Sequence, residues 1–229
     1  MRQTELLRAL LPNAQVEYAM RYGAPSIPSG LKKLSRCKTT VVLPLYPQFS
    51  RSTTESIRDV IGPDVAMIDN FHDHPAYIAA LAAGVRRHWA AHGRAQKLVM
   101  SFHGLPKRAV DRGDPYQRQC GATASLLADA IQLNEKDWIL TFQSRFGAAE
   151  WLQPYTEPAL IGLARQGVKR VDVICPGFVS DCLETLEEIA IEGRQAFLGA
   201  GGRAFHALPC LNQSAEWITA MARIAIGDA

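Results

Sequence analysis

The chain has 229 residues, 48% hydrophobic and 21% charged, the balance of a soluble globular protein with a sizeable core in one large domain or two small ones. Its 25 basic and 22 acidic side chains give a net charge of +3 and form no long runs, which excludes a basic stripe for nucleic acid. No apolar segment approaches the roughly 18 residues of a membrane span, and Met1 to Glu5 lacks the charged and apolar regions of a signal peptide, so a cytoplasmic address is expected.

In chain order, Met1 to Leu11 reads as a helix with Leu6, Leu7, Leu10 and Leu11 along one side. Short β-rich runs then stand at Val16 to Tyr22, Thr39 to Leu45, Val65 to Asn70, Leu98 to His103, Trp138 to Gln143, Val171 to Cys175 and Ala204 to Leu208. Between them lie helical spacings at Ser50 to Ile61, Pro75 to His92, Pro115 to Leu133, Glu157 to Gln166, Asp181 to Leu198 and Ser214 to Ile226. This alternation predicts an α/β fold of parallel sheets with crossover helices. Asp114, ahead of Pro115, and Asp181 read as helix caps. A doubly wound lobe normally opens on a strand, whereas this chain opens on a helix, and fewer strands precede Pro75 than follow it. The long helix from Pro75 is the best bridge, which puts an incomplete N-terminal α/β lobe at 1–90 and a C-terminal α/β lobe at 91–229.

Two places carry side chains suited to chemistry. His103, in Ser101-Phe-His-Gly-Leu-Pro106, stands at a strand's carboxyl end, where open α/β sheets bind ligands. A neutral imidazole accepts protons near pH 7 and ligates divalent transition metals; the same histidine serves equally as a turn residue bonded to backbone. Glu184, Glu188 and Glu192 recur every four residues and form one ridge, each like-charged pair costing roughly 0.2 to 0.5 kcal/mol. Leu183, Leu186, Ile189 and Phe197 would bury the opposite face, making the ridge an ordinary solvated surface, and Glu184 also fits the third residue of a capping box begun by Asp181. Gly199 to Gly202 lacks the spacing of a nucleotide-binding loop. The five cysteines form no C-x-x-C pair and read as reduced thiols.

The stretches Ala19-Met-Arg-Tyr-Gly23, Leu43-Pro-Leu-Tyr-Pro-Gln-Phe-Ser50 with Ser52-Thr-Thr54, Ser101-Phe-His-Gly-Leu-Pro106, Gly113-Asp-Pro-Tyr116, Gln143-Ser-Arg-Phe-Gly147 with Trp151, and Cys175-Pro-Gly-Phe178 through Glu184-Thr-Leu186 together resemble ferrochelatase. They span nearly the whole chain in the family's order. The resemblance implies insertion of ferrous iron into protoporphyrin IX, the last step of haem synthesis, between two similar doubly wound, Rossmann-like lobes with parallel sheets. Family members begin with a further strand and a glycine-containing loop that forms one lip of the cleft; this sequence starts beyond both, so the first lobe is expected to be truncated.

The resemblance also assigns roles. His103 and Glu184 become the catalytic, metal-binding pair on opposite sides of the ring, and Glu188 and Glu192 an ion path leading away. Arg21, Tyr22, Tyr46, Trp151 and Phe178 become porphyrin-binding residues, although Arg21 also suits a surface ion pair and Tyr46 or Trp151 a core aromatic. Ser52, Thr53 and Thr54 suit either an anion at a helix amino end or an ordinary N-cap. Asn70 to His74, with two histidines and an aspartate, becomes a strand-to-helix connection. Ferrous iron is substrate, and no tightly bound cofactor is expected. Arg51 stands where cluster-bearing relatives have a cysteine, and no cysteine follows Cys210, so an iron-sulfur cluster is not expected either. Protoporphyrin IX and ferrous iron are the implied partners, with peripheral membrane contact compatible and oligomeric state unfixed. Two alternatives stand beside the enzyme: a non-catalytic porphyrin- or metal-binding remnant, and a chelatase for another tetrapyrrole such as sirohydrochlorin, which the Tyr-Pro-Gln and Cys-Pro-Gly segments disfavour.

Overall fold

The computed structural model describes residues 1–227. Helix α1 (Arg2–Leu10) buries Leu7 against the C-terminal helix. The strand predicted over Val16 to Tyr22 does not form. This segment pairs only through a single bridge from Met20 to Ser26. Its polar groups are met by side chains instead: Arg8 donates to the Val16 carbonyl at 2.7 Å, and Glu17 lies 3.3 Å from both Arg8 and Lys33. Helix α2 (Ile27–Lys33), absent from the sequence reading, follows behind the Ser26 cap, with a proline in its first turn.

Strands β1 (Val41–Val42) and β2 (Ala66–Met67) pair in parallel as a two-stranded sheet, much shorter than the predicted runs. Pro44 and Pro47 lack the N–H that would extend the first of them. A π-type turn, Arg51–Glu55, capped by the Ser50 hydroxyl, leads into α3 (Ser56–Ile61), whose Ile57 and Ile61 form a small core with Ile27. His72 then bonds Asn70 at 2.7 Å, and the His74 imidazole accepts from the Ala76 amide to cap α4 (Pro75–His92). His74 thus serves as a helix cap, and His72 is held by a side-chain bond within the connection.

The larger sheet is parallel, in the order β4-β3-β5-β6. It comprises β3 (Lys97–His103), β4 (Trp138–Gln143), β5 (Arg170–Ile174) and β6 (Ala204–Ala207). Between β3 and β4 come α5 (Lys107–Asp111), not foreseen, and α6 (Tyr116–Ala130), whose start is capped as predicted by Asp114 accepting from the Tyr116 amide at 3.0 Å. Helix α7 (Thr156–Arg165) returns to β5. A π-helix, Glu184–Gly193, continues as α8 (Arg194–Gly199) into β6, and α9 (Ala215–Ile226) closes the fold. β3 is buried almost throughout because helices cover both of its faces. Leu98, Met100 and Phe102 pack with α4, α6 and α9, while Val99 packs with Leu160, Val171, Val173 and Phe197. Each such side chain contributes roughly 1.5 to 3 kcal/mol by leaving water. The α/β architecture with parallel sheets is therefore present, its two sheets very unequal, and α4 belongs to the core of the larger one.

Candidate active site

His103 is the last residue of β3, opposite Gln143 at the end of β4. Its Nδ1 lies 2.6 Å from the Gly104 carbonyl oxygen. A carbonyl only accepts, so Nδ1 carries a hydrogen, and in the neutral ring Nε2 is the nitrogen left with the lone pair. The backbone bond that would make His103 a mere turn residue is thus what prepares the other nitrogen for proton acceptance or metal ligation. Tyr116 Oη donates to the His103 carbonyl at 3.0 Å, and the imidazole packs 6.5 Å from the Trp151 ring and 6.3 Å from Phe178.

Glu184 opens the π-helix. A hydrogen bond from the Cys182 thiol, its own amide and the nearby His103 imidazole hold its carboxyl below the usual range against the opposing effect of burial. The capping box does not form. The Asp181 carboxylate instead accepts from Asn212 Nδ2 at 2.6 Å, Thr185 Oγ1 at 3.1 Å and the Cys210 amide at 3.2 Å. The solvated-ridge reading also needs correction, because π winding moves the burial. Thr185, Ile189 and Gly193 face inward, whereas Leu183 and Leu186 are exposed. Glu188 takes both the amide and the hydroxyl of Ser144 at 2.6 Å each.

His103 and Glu184 line one cavity of about 1310 Å³, with Arg21, Tyr46, Trp151 and Phe178. That exceeds the roughly 300 to 1,000 Å³ of ordinary small-molecule pockets. Its walls are mainly apolar, and its mouth exposes Leu45 and Tyr46. Arg21 donates to the Ser56 carbonyl at 2.8 Å while its guanidinium lies 4.5 Å from the centre of the Tyr22 ring. Tyr22 is 77% exposed and lies outside the lining. Burial pushes the Tyr46 phenol up, Tyr22 adding to the effect. Trp151 is 5% exposed, and its indole N–H is buried without a partner. Ser50, Ser52 and Thr53 also reach the cavity; the Ser52 amide binds the Ser50 hydroxyl, the ordinary cap. A second cavity of about 410 Å³ adjoins, lined by Glu184, Glu187, Glu188 and Glu192 with Arg145 and Phe146. Glu184 belongs to both.

Gln143, Ser144 and Cys182 carry parts that the sequence reading left unassigned. Gln143 Nε2 donates to the Glu184 carbonyl at 2.8 Å, and its Oε1 accepts from Ser101 Oγ at 2.7 Å. One buried amide therefore ties the β4 end to the first turn of the π-helix. Ser144 adopts a φ of 62°, left-handed backbone unusual outside glycine, which turns its amide to Glu188. The only sequence signal was the polar Gln-Ser pair ending an apolar strand.

A parallel α/β fold that brings an imidazole and a carboxylate to one large, mainly apolar cavity places the chain among chelatase-like folds. The solved structure titled as CbiX, the terminal enzyme for biosynthesis of siroheme in denitrifying bacteria, superposes with a TM-score of 0.67 over 99% of this chain and 89% of that one, at 16% identity, and so shares the fold. The sequence profile described as Ferrochelatase matches residues 1–228. The ferrochelatase of Aromatoleum aromaticum is 54% identical, the match covering 99% of this chain and 67% of the relative. That of Azoarcus sp. (strain BH72) is 51% identical, covering 97% and 65%. The chain belongs to the ferrochelatase family, and it spans about two thirds of the length of these curated relatives.

Proposed function

We propose that this chain acts as a ferrochelatase, inserting ferrous iron into protoporphyrin IX to give haem. The observation that carries the reading is the His103 ring, with Nδ1 committed to Gly104 and Nε2 free, beside an ionised Glu184 in a cavity wide enough for a macrocycle. Metalation removes two pyrrole N–H protons while the ring accepts a dication. His103 Nε2 takes one proton, and the other passes to the Glu184 carboxylate or, where that carboxylate offsets the metal's charge, to water. Tyr46, Trp151 and Phe178 supply apolar and aromatic contact to the flat ring, Arg21 a cation for a propionate, and Tyr22 a rim position. The acid-lined side cavity that shares Glu184 supports an ion path through Glu188 and Glu192. Glu187 joins it by position.

Ferrous iron is read as substrate, with no resident cofactor or iron-sulfur cluster, and the cytoplasm as the compartment. No helix among the described residues is long and apolar enough to cross a membrane. The packing of α4 into the larger sheet's core favours dividing the chain ahead of Pro75 rather than near residue 90.

Anaerobic incubation of the purified chain with protoporphyrin IX and Fe²⁺, or Zn²⁺ as a fluorescent readout, should give metalloporphyrin. His103→Ala should lower the rate by about 10² to 10⁴, the scale of lost general base catalysis. Equal rates in the two proteins would remove His103 from the mechanism. Tight porphyrin binding without metalation would favour a binding role instead.

A further inference from the structure

We propose that His88, Asp172 and His206 form a second divalent-metal site, separate from the cleft, for a borderline transition cation such as Zn²⁺ or Co²⁺. His88 projects from α4, Asp172 from β5 and His206 from β6, where the last two are register partners. One ligating atom from each lies within 4.8 Å of the others. Asp172 Oδ1 is 3.4 Å from His88 Nε2 and 3.1 Å from His206 Nδ1. Ligands at about 2.0 to 2.1 Å from a tetrahedral zinc stand roughly 3.3 to 3.4 Å apart, so small shifts would seat a cation among them.

Two further observations point to a ligand. His88 Nε2 is buried and finds no well-formed hydrogen bond, its neighbour Asp172 Oδ1 standing off at 3.4 Å. Asp172 is completely buried, and its Oδ2 accepts the Trp89 indole N–H at 2.9 Å. That contact fixes the carboxylate from outside and leaves Oδ1 for the metal, as carboxylate ligands are commonly held. His206 is 35% exposed, so the cluster opens to solvent for entry and for a water as fourth ligand. The exposed His92 ring stacks on His206 at 5.3 Å beside that opening.

The competing arrangement is a hydrogen-bonded His-Asp network, neutralised by Arg170 at 3.7 Å from Asp172. Arg170 directs its N–H groups to the His92 and Gly93 carbonyls at 2.7 and 2.6 Å, however, and makes no hydrogen bond to Asp172, so it does not occupy Oδ1. The cluster is remote from the cleft. Asp172 pairs with Leu98, and the strand from Leu98 to His103 runs roughly 16 Å. A cation here would pin α4 to the β5–β6 edge, whatever the cleft does.

Because the cleft is itself proposed to take metal, the test uses the full chain carrying His103→Ala and Glu184→Gln, stripped with a chelator and titrated with Co²⁺ alone. The expected result is one equivalent bound with the visible absorption of four-coordinate cobalt, and an X-ray absorption spectrum showing two imidazoles among nitrogen and oxygen ligands. Adding His206→Ala or His206→Gln, changes at a partly exposed position, should weaken binding at least about tenfold. No cobalt bound by the cleft-silenced chain, binding unaltered by both His206 changes, or a spectrum without imidazole would each overturn the proposal.

Discussion

His103 has two ring nitrogens, and the fold uses them differently: the Gly104 carbonyl holds one so that the other stays available. The next residue is constrained just as tightly. A Cβ on Gly104 would sit 2.7 Å from the Gln143 carbonyl oxygen and 3.0 Å from the Trp151 ring, while the Gly104 amide bonds that same carbonyl at 2.7 Å. Backbone cannot give way as a flexible side chain does. Gly104→Ala is therefore expected to lower stability by about 1 to 3 kcal/mol, measured by urea unfolding, and to slow metal insertion by displacing the imidazole. An unchanged unfolding midpoint and rate would show that the turn relaxes freely. The reason only glycine fits lies on β4 and at Trp151, far along the chain.

At the level of elements, the acidic helix departs furthest from its sequence pattern. Spacing of four among Glu184, Glu188 and Glu192 was legible, and so was their common face. The wider π winding was not, since nothing local distinguishes it from α-helix, and it exposes Leu183 and Leu186 where a 3.6-residue period would bury them. The entry to this helix hangs on Asp181. Burial alone would raise its pKa, but the hydrogen bonds from Asn212, Cys210 and Thr185 outweigh that and hold it below the ordinary carboxylate range. A depressed folded-state pKa adds stability above the unfolded value near about 3.9, and that stability disappears as pH falls through the lower folded value. Asp181→Asn, which turns an acceptor into a donor facing donors, should cost about 1 to 3 kcal/mol near neutrality. In denaturant titrations across pH the gap between the two proteins should stay level above about pH 5 and narrow below about pH 4. A gap that widens in acid would contradict this account.

Across the whole molecule, the two unequal α/β layers are joined by polar contacts as well as by apolar packing. Gln48 donates to Thr123 at 3.0 Å, Gln119 accepts from the Phe49 amide at 2.6 Å, and Asp114 accepts from Ser50 Oγ at 3.0 Å and the Arg51 amide at 2.9 Å. The segment carrying Tyr46 is thereby clamped to α6, which itself reaches His103 through Tyr116. Asp114 is 4% exposed and serves three donors at once. Asp114→Ala should lower stability by about 2 to 4 kcal/mol, seen as a lower urea midpoint, and weaken porphyrin binding by releasing one wall of the cavity. Stability retained in full would mean that apolar packing alone holds the layers together.

By itself the sequence determined the alternation of strands and helices, the cap at Asp114, and the family, because these rest on local spacing, turn chemistry and motif order. It did not determine whether Val16 to Tyr22 would find a neighbouring strand, since pairing needs a partner with free backbone groups and a β-rich run announces only willingness. Nor could it reveal Gln143 reaching the π-helix, or His88, Asp172 and His206 gathering between α4 and the β5–β6 edge. Those meetings are decided by strand register and helix docking, which bring together residues that have no relation along the chain.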